Sequence, residues 1–186
     1  MRVLLVTIVA VLTAATAFAG QNPDIRAFVT MDPAAYVHSD PDAVGSTIVN
    51  VYLCFDTFGT GGGLTGVSLT LDFECSGFVA GSADVSVFHP SAQTVIGAPD
   101  DVVNGWVVAA PECVFPGGSG IVCVGMVPWF YQGSPGDILI LEGSEGFASV
   151  DCNNDIDLFT VLSNGAIGQE VPVGAATWSG IKALYR

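Results

Sequence analysis

Oxygen-bearing side chains alternate along one short segment, Asp151-Cys152-Asn153-Asn154-Asp155-Ile156-Asp157. Asp151, Asn153, Asp155 and Asp157 would line one side of a loop if the segment turned there. Calcium takes about six to eight oxygen ligands, mostly carboxylates and carbonyls. The segment therefore predicts a candidate calcium site.

The same segment departs from the EF-hand loop in two places. An EF-hand needs Gly where Ile156 stands and a bidentate Glu where Leu162 stands. The alternative is a solvated turn in which Asp and Asn side chains cap their own backbone. The departures favour the turn, and calcium remains the functional alternative.

Catalytic patterns are missing from the sequence. His38 and His89 are the only histidines, and neither lies in a His-Glu-x-x-His pattern or beside a plausible Ser or Cys nucleophile. The serine-containing glycine stretches at 117–120 and 143–146 lack the Gly-x-Ser-x-Gly spacing. A paired-carboxylate glycosidase stays open, because 18 acidic residues offer many pairs of unknown separation. We predict that the protein is not an enzyme.

Three consecutive aromatic residues, Trp129, Phe130 and Tyr131, form the first candidate ligand or interface site. Because neighbouring residues of a strand face opposite ways, at least one ring is expected to be exposed. Exposed Trp and Tyr rings stack on sugars or anchor protein interfaces. The alternative is that Trp129 and Tyr131 fill the end of the fold while Phe130 covers a loop.

The segment 177–186 is predicted to be a short amphipathic helix or tail, capped by Thr177. Such a helix could contact a neighbouring subunit or a cell-surface partner. The alternative is that it docks on its own domain and places its cations near the helix C-terminus, where the helix dipole favours positive charge. Its candidate interface side chains, four apolar and two cationic, are Trp178, Ile181, Leu184, Tyr185, Lys182 and Arg186.

Charge restricts the partners. Residues 27–181 contain no Lys or Arg but hold every acidic residue except Asp24, and the formal net charge of the chain is −14. Nucleic-acid binding depends on Lys and Arg that displace counterions from phosphates, and anionic lipids attract the same side chains. We therefore exclude nucleic acid and anionic membranes, which leaves neutral partners, cationic partners and divalent cations.

Residues 1–19 have the features of an export signal. Arg2 supplies a positive charge, residues 3–12 form an apolar run, and Ala17-Phe18-Ala19 is a small-x-small cleavage site before Gly20. The apolar run is shorter than the roughly 20 residues of a membrane-spanning helix. We predict a secreted mature protein without a membrane span, located in the periplasm, at the cell surface or outside the cell.

All five cysteines follow the predicted signal: Cys54, Cys75, Cys113, Cys123 and Cys152. Cysteines usually pair in an oxidising compartment, so one of the five is left over. We predict a Cys113–Cys123 disulfide, because a turn-rich stretch at 114–120 separates the two residues. Three pairings stay open for the others. Zinc is a weaker alternative, since the sequence has no Cys-x-x-Cys.

Short apolar runs separated by Gly, Pro, Asn and Ser clusters predict an all-β domain over residues 20–176. Alternation marks strands at 48–55 and 65–73, and the glycine-containing link at 56–63 predicts a hairpin between them. About eight strands imply a two-sheet antiparallel β-sandwich, with a partly closed barrel as the alternative. Further strands are predicted at 27–31, 84–88, 105–109, 121–127, 137–141 and 147–151.

Four segments follow one another in a recognisable order. They are the strand at 47–55, the glycine loop, Gly66-Val67-Ser68-Leu69-Thr70-Leu71-Asp72-Phe73 and the late Gly136-Asp137-Ile138-Leu139-Ile140-Leu141. This pattern resembles the cohesin-like secreted β-sandwich modules of bacteria over residues 45–150. The resemblance implies an immunoglobulin- or cohesin-like fold that docks to partner modules outside the cell. No docking residue is transferred by motif.

Two functions follow as predictions. The first is a secreted, non-catalytic structural or assembly protein, a homo-oligomer whose copies form a surface layer, a filament or an adhesive module through strand edges and termini. The alternative is a carbohydrate- or partner-binding module that stacks a neutral glycan on Trp129 to Tyr131, with calcium ordering the Asp151 loop.

Overall fold

The structure is a computed structural model, and it describes residues 20–59, 62–141 and 148–169. Within these ranges the chain forms fourteen strands and no helix. The predicted signal at 1–19 and the predicted helix at 177–186 lie outside the described residues. No helix in the described ranges is long and apolar enough to cross a membrane.

The strands are short, apart from three of nine residues or more in the middle of the sheets. In chain order they are β1 (Arg26–Thr30), β2 (Ser39–Asp40), β3 (Ser46–Asp56), β4 (Leu64–Leu69), β5 (Leu71–Phe73), β6 (Gly77–Val79), β7 (Gln93–Gly97), β8 (Trp106–Val114), β9 (Ile121–Gln132), β10 (Gly136–Ile140), β11 (Ala148–Asp151), β12 (Ile156–Asp157), β13 (Thr160–Ser163) and β14 (Gly165–Ile167).

Hydrogen bonds connect the strands into three sheets. The first has the order β13-β1-β3-β9-β6, the second β2-β14-β10-β5 and the third β12-β11-β4-β8-β7. Only Thr70 separates β4 from β5, so the second and third sheets continue into each other and form one layer. The all-β sandwich is confirmed, with a correction: β1 pairs with β13 in parallel, and so does β14 with β2.

The core lies between the first sheet and this second layer. The Trp129 ring of β9 stacks on Phe73 of β5 with centroids 4.0 Å apart and planes 7° apart. Trp106 of β8 is fully buried, and its ring lies so close to Gly125 of β9 that a Cβ at position 125 would overlap it. Indole rings therefore join the two layers, each burying a large apolar area.

Two predictions about the strands are wrong. The predicted hairpin does not form, because β3 pairs with β1 and β9, whereas β4 pairs with β11 and β8. The link between β3 and β4 instead crosses from one layer to the other. Residues 84–88 form no strand: the Asp84 carboxylate accepts the Ser86 N–H at 2.9 Å, which turns the chain after an isolated bridge to Met126.

The predicted Cys113–Cys123 disulfide is also wrong. Cys123 lies opposite Cys54 in the register of β3 and β9, and these two are bonded. Cys113, near the end of β8, is bonded to Cys152, with their Cα atoms 5.3 Å apart. The turn-rich stretch connects β8 in one layer to β9 in the other, so it separates Cys113 from Cys123. Cys75 is free and buried.

Candidate functional site

The outer face of the third sheet carries an open groove of about 620 Å³. The strand register builds its floor from rows of small side chains. One row places Val107 beside Ser68, and Ser68 beside Ala148. The next row runs from Ala109 through Gly66 and Val150 to Ile156. We call this surface the outer groove and define it by Gly66, Ser68, Val107, Ala109, Val150 and Ile156.

Large exposed side chains border the outer groove. Ile156 is 64% exposed and Leu158 is 76% exposed, both on the β12 side. On the other side, Ile96 of the edge strand β7 lies opposite Val107 and is 53% exposed. Exposed aliphatic residues that are grouped, rather than scattered, mark interaction surfaces.

Among the described residues, no side chain lining the outer groove carries a charge, although the chain has a net charge of −14. The lining is aliphatic or small, with Thr65, Ser68 and Asn154 as its polar side chains. Such a surface can bind a partner by excluding water, and depletion of charge is typical of the centre of protein interfaces.

The predicted calcium segment forms a turn in which Asp151 binds backbone. Its Oδ1 accepts the N–H groups of Asn153 at 2.8 Å and Asp155 at 2.9 Å. Its Oδ2 accepts the N–H of Gln21 at 2.6 Å. Asn153 and Asp155 themselves are exposed. The Asp151 carboxylate therefore caps the turn and holds the start of the described chain.

Asp157 faces the same N-terminal segment and is buried. Its Oδ2 accepts the N–H of Asn22 at 3.0 Å. Burial raises the pKa of the Asp157 carboxyl, the N–H of Asn22 opposes this shift, and the neighbouring carboxylates of Asp151 and Asp155 add to it. The folded protein thus bears an electrostatic cost when Asp157 is ionised.

The four predicted calcium ligands are not brought together. Two face inward to residues 20–22, and two face solvent. In the described part of the chain, no group of three or more His, Cys, Asp or Glu side chains is arranged to hold a metal ion. In this turn the carboxylates of Asp151 and Asp157 bind backbone N–H groups, and a calcium site stays a prediction.

The aromatic cluster is divided by strand alternation. Trp129 and Tyr131 are buried, at 4% and 1% exposure, whereas Phe130 faces outward. Phe130 packs on Phe78 with ring centroids 5.1 Å apart and lies opposite Ile48, which is 59% exposed. Because Trp129 and Tyr131 are inside, they cannot act as the predicted sugar-stacking platform.

No family model and no curated protein matches the chain, but solved structures resemble it. One is the cohesin of the Coh-OlpA–Doc918 complex from Clostridium thermocellum, with a TM-score of 0.52 at 12% identity, covering 77% of this chain and 97% of that one. Another is the cohesin of the Coh-OlpC–Doc435 complex from the same organism, with a TM-score of 0.50 at 11% identity and coverages of 77% and 93%. The fold is cohesin-like.

This finding confirms the family resemblance that the strand pattern suggested. Identities this low establish the cohesin-like fold alone, and function must be argued from the site. The remaining predicted interface residues lie outside the described ranges: Trp178, Ile181, Lys182, Leu184, Tyr185 and Arg186.

Sequence reasoning missed the outer groove. The local sequence signal for the groove is weak. The outward positions of β8 and β11, such as Val107, Ala109 and Val150, are apolar, whereas a solvent-exposed sheet face is usually polar. Three segments far apart in sequence must become neighbours in a cohesin-like sheet before these residues form one surface.

Proposed function

We propose that this chain is a secreted, non-catalytic module that binds another protein outside the cell, and that the outer groove is its docking surface. The observation that carries the proposal is an uncharged, apolar sheet face on a strongly anionic molecule. Exposed apolar area of this kind is unfavourable in water unless a partner covers it.

Electrostatics supports the choice of partner class. The anionic body disfavours nucleic acid and anionic membranes, whereas the outer groove can be covered without removing an ion from water. Each 100 Å² of apolar surface covered would contribute roughly 2.5 kcal/mol before the costs of association. A protein with an apolar and uncharged surface is the partner that this lining accommodates.

The structural neighbours support the same class of function. The two Clostridium thermocellum structures are described as type I cohesin–dockerin complexes, in which a cohesin is bound to another protein module. The partner of the present chain is either a second copy, which would produce a layer or filament, or a different protein.

Cross-linking from the outer groove tests the proposal and identifies the partner. A photo-cross-linking amino acid at position 156 is expected to give a defined product in the native extracellular preparation, because Ile156 borders the groove. The matched control is position 48, since Ile48 is also an exposed strand isoleucine, 59% against 64%, on the opposite layer. Mass spectrometry of the product distinguishes a second copy from another protein.

The corresponding substitutions give the energetic test. Ile156→Glu is expected to weaken binding of the identified partner at least tenfold, because it buries a charge at the interface, whereas Ile48→Glu leaves binding unchanged. Identical cross-linking from positions 156 and 48, or equal effects of the two substitutions, would contradict a docking role for the outer groove.

A further inference from the structure

Two buried carboxylates hold the segment that precedes β1. Asp151 is fully buried and accepts the Gln21 N–H, and Asp157 is 4% exposed and accepts the Asn22 N–H. Asn22 is itself buried, and its side-chain amide donates to the Gly63 carbonyl at 3.1 Å. Residues 20–22 are therefore fixed in place rather than attached only through β1.

Gly20 lies directly against the Asp157 carboxylate. A Cβ at position 20 would overlap the carboxylate oxygens, so the backbone approaches closer than any other residue would allow. The Gly20 backbone also donates a hydrogen bond to Asp157. The nitrogen of residue 20 thus points at a buried acid.

No side-chain cation balances these two acids within the described ranges. Arg26 is the only Lys or Arg there, and its guanidinium lies over the Phe58 ring, 4.4 Å from the centroid. Burial of an ionised carboxylate without a cation is unfavourable. The Ala17-Phe18-Ala19 cleavage motif ends at the residue before Gly20, so a cut at that bond would create a cation at the position where it is missing.

We propose that the chain is cleaved between Ala19 and Gly20 and that the new α-ammonium of Gly20 forms a buried ion pair with Asp157, next to the Asp151–Gln21 contact. An export peptidase would hydrolyse the bond with one water molecule, breaking the C–N bond. Ala19 keeps a carboxylate, and the Gly20 amine takes up a proton, since such amines have a pKa of about 7.7 to 8.0.

Processing then strengthens a contact within the fold as well as shortening the chain. Before the cut, residue 20 offers Asp157 a neutral amide N–H. After the cut, it offers an ammonium with three donors at the same place, and hydrogen bonds between charged groups are about twice as strong as neutral ones. Position 20 must be glycine for the nitrogen to reach the acid.

Three purified forms of the disulfide-bonded protein test the proposal. One begins at Gly20, one begins at Ala19 and one begins at an N-acetylated Gly20. The first two can be prepared by cleaving a fusion partner, and the third by acetylating the free α-amine of the first with an acetyl donor near neutral pH. The form with the free Gly20 amine is expected to melt about 3 to 6 °C above both others, because only it places a charge at Asp157.

Two substitutions locate the effect. The difference in melting temperature should vanish in Asp157→Asn and persist in Asp24→Asn, which removes an exposed acid from the same segment. A second measurement needs no substitution: titration of the Gly20 amine by NMR should give a pKa above the ordinary range. Equal melting temperatures, an ordinary amine pKa, or an exported protein that does not begin with Gly-Gln-Asn would overturn the proposal.

Discussion

Replacement of Trp106 by alanine is expected to lower the free energy of unfolding by about 3 to 5 kcal/mol. Trp106 is the largest of the fully buried side chains, and its Nε1 donates to Thr94 Oγ1 at 3.2 Å. Its ring also reaches Gly125 in the opposite layer. The substitution therefore leaves a cavity between the layers. Urea denaturation measures the loss, and the slope with urea should stay constant if only stability changes.

Gly125 provides a specific control for this contact. Gly125→Ala alone should be strongly destabilising, because the new methyl overlaps the Trp106 ring. Trp106→Phe shortens the ring that reaches position 125, so the combination Trp106→Phe with Gly125→Ala should be more stable than the sum of the two effects predicts. Strict additivity would show that Trp106 and Gly125 do not share this contact.

Removal of the Cys54–Cys123 disulfide by paired alanine substitutions is expected to cost about 4 kcal/mol. The bond closes a loop with a sequence separation of 69, and Cys113–Cys152 closes one of 39. Loop-closure entropy depends only logarithmically on length, so the two bonds should contribute similar amounts. Urea denaturation of the two double variants measures both, and Cys75→Ala, which breaks no bond, is the control.

Peptide mapping of the non-reduced protein tests the same assignment. Trypsin finds no site between residues 27 and 181, so pepsin is the suitable protease. We expect linked peptides that contain Cys54 with Cys123 and Cys113 with Cys152. The thiol of Cys75 should react only after unfolding, because it is buried. A peptide joining Cys113 to Cys123 would contradict the structure.

Alternation in the sequence predicted where most strands lie but not which strands pair. The apolar positions of β3 and β4 correctly indicate one buried face on each strand. A buried face shows only that another layer packs against the strand. Which strands become its hydrogen-bonded neighbours depends on the topology of the whole sheet. For this reason, the two strands were predicted to form a hairpin although they lie in different layers.

The candidate site was harder to predict for the same reason. Within its own strand, none of Gly66, Ala109 and Val150 indicates a binding surface. The three residues form one surface only because β4, β8 and β11 are neighbours in the sheet. The turn at Asp151 was easier, because an Asp that caps N–H groups two and four residues later is a local arrangement. Its contact with Gln21, 130 residues away in sequence, has no local signal.

The parallel pairing of β1 with β13 has a consequence for the order in which the protein can mature. If the chain leaves the cell N-terminus first, Arg26–Thr30 emerges early, but its neighbour Thr160–Ser163 emerges close to the end. Cys54 and Cys75 also emerge before Cys113, Cys123 and Cys152, and neither is the native partner of the other. Oxidation at that stage can join only the wrong pair, which a later thiolate must exchange. In that case correct maturation requires translocation that is faster than oxidation, or exchange of the wrong pair by a later cysteine of the chain or by an isomerase.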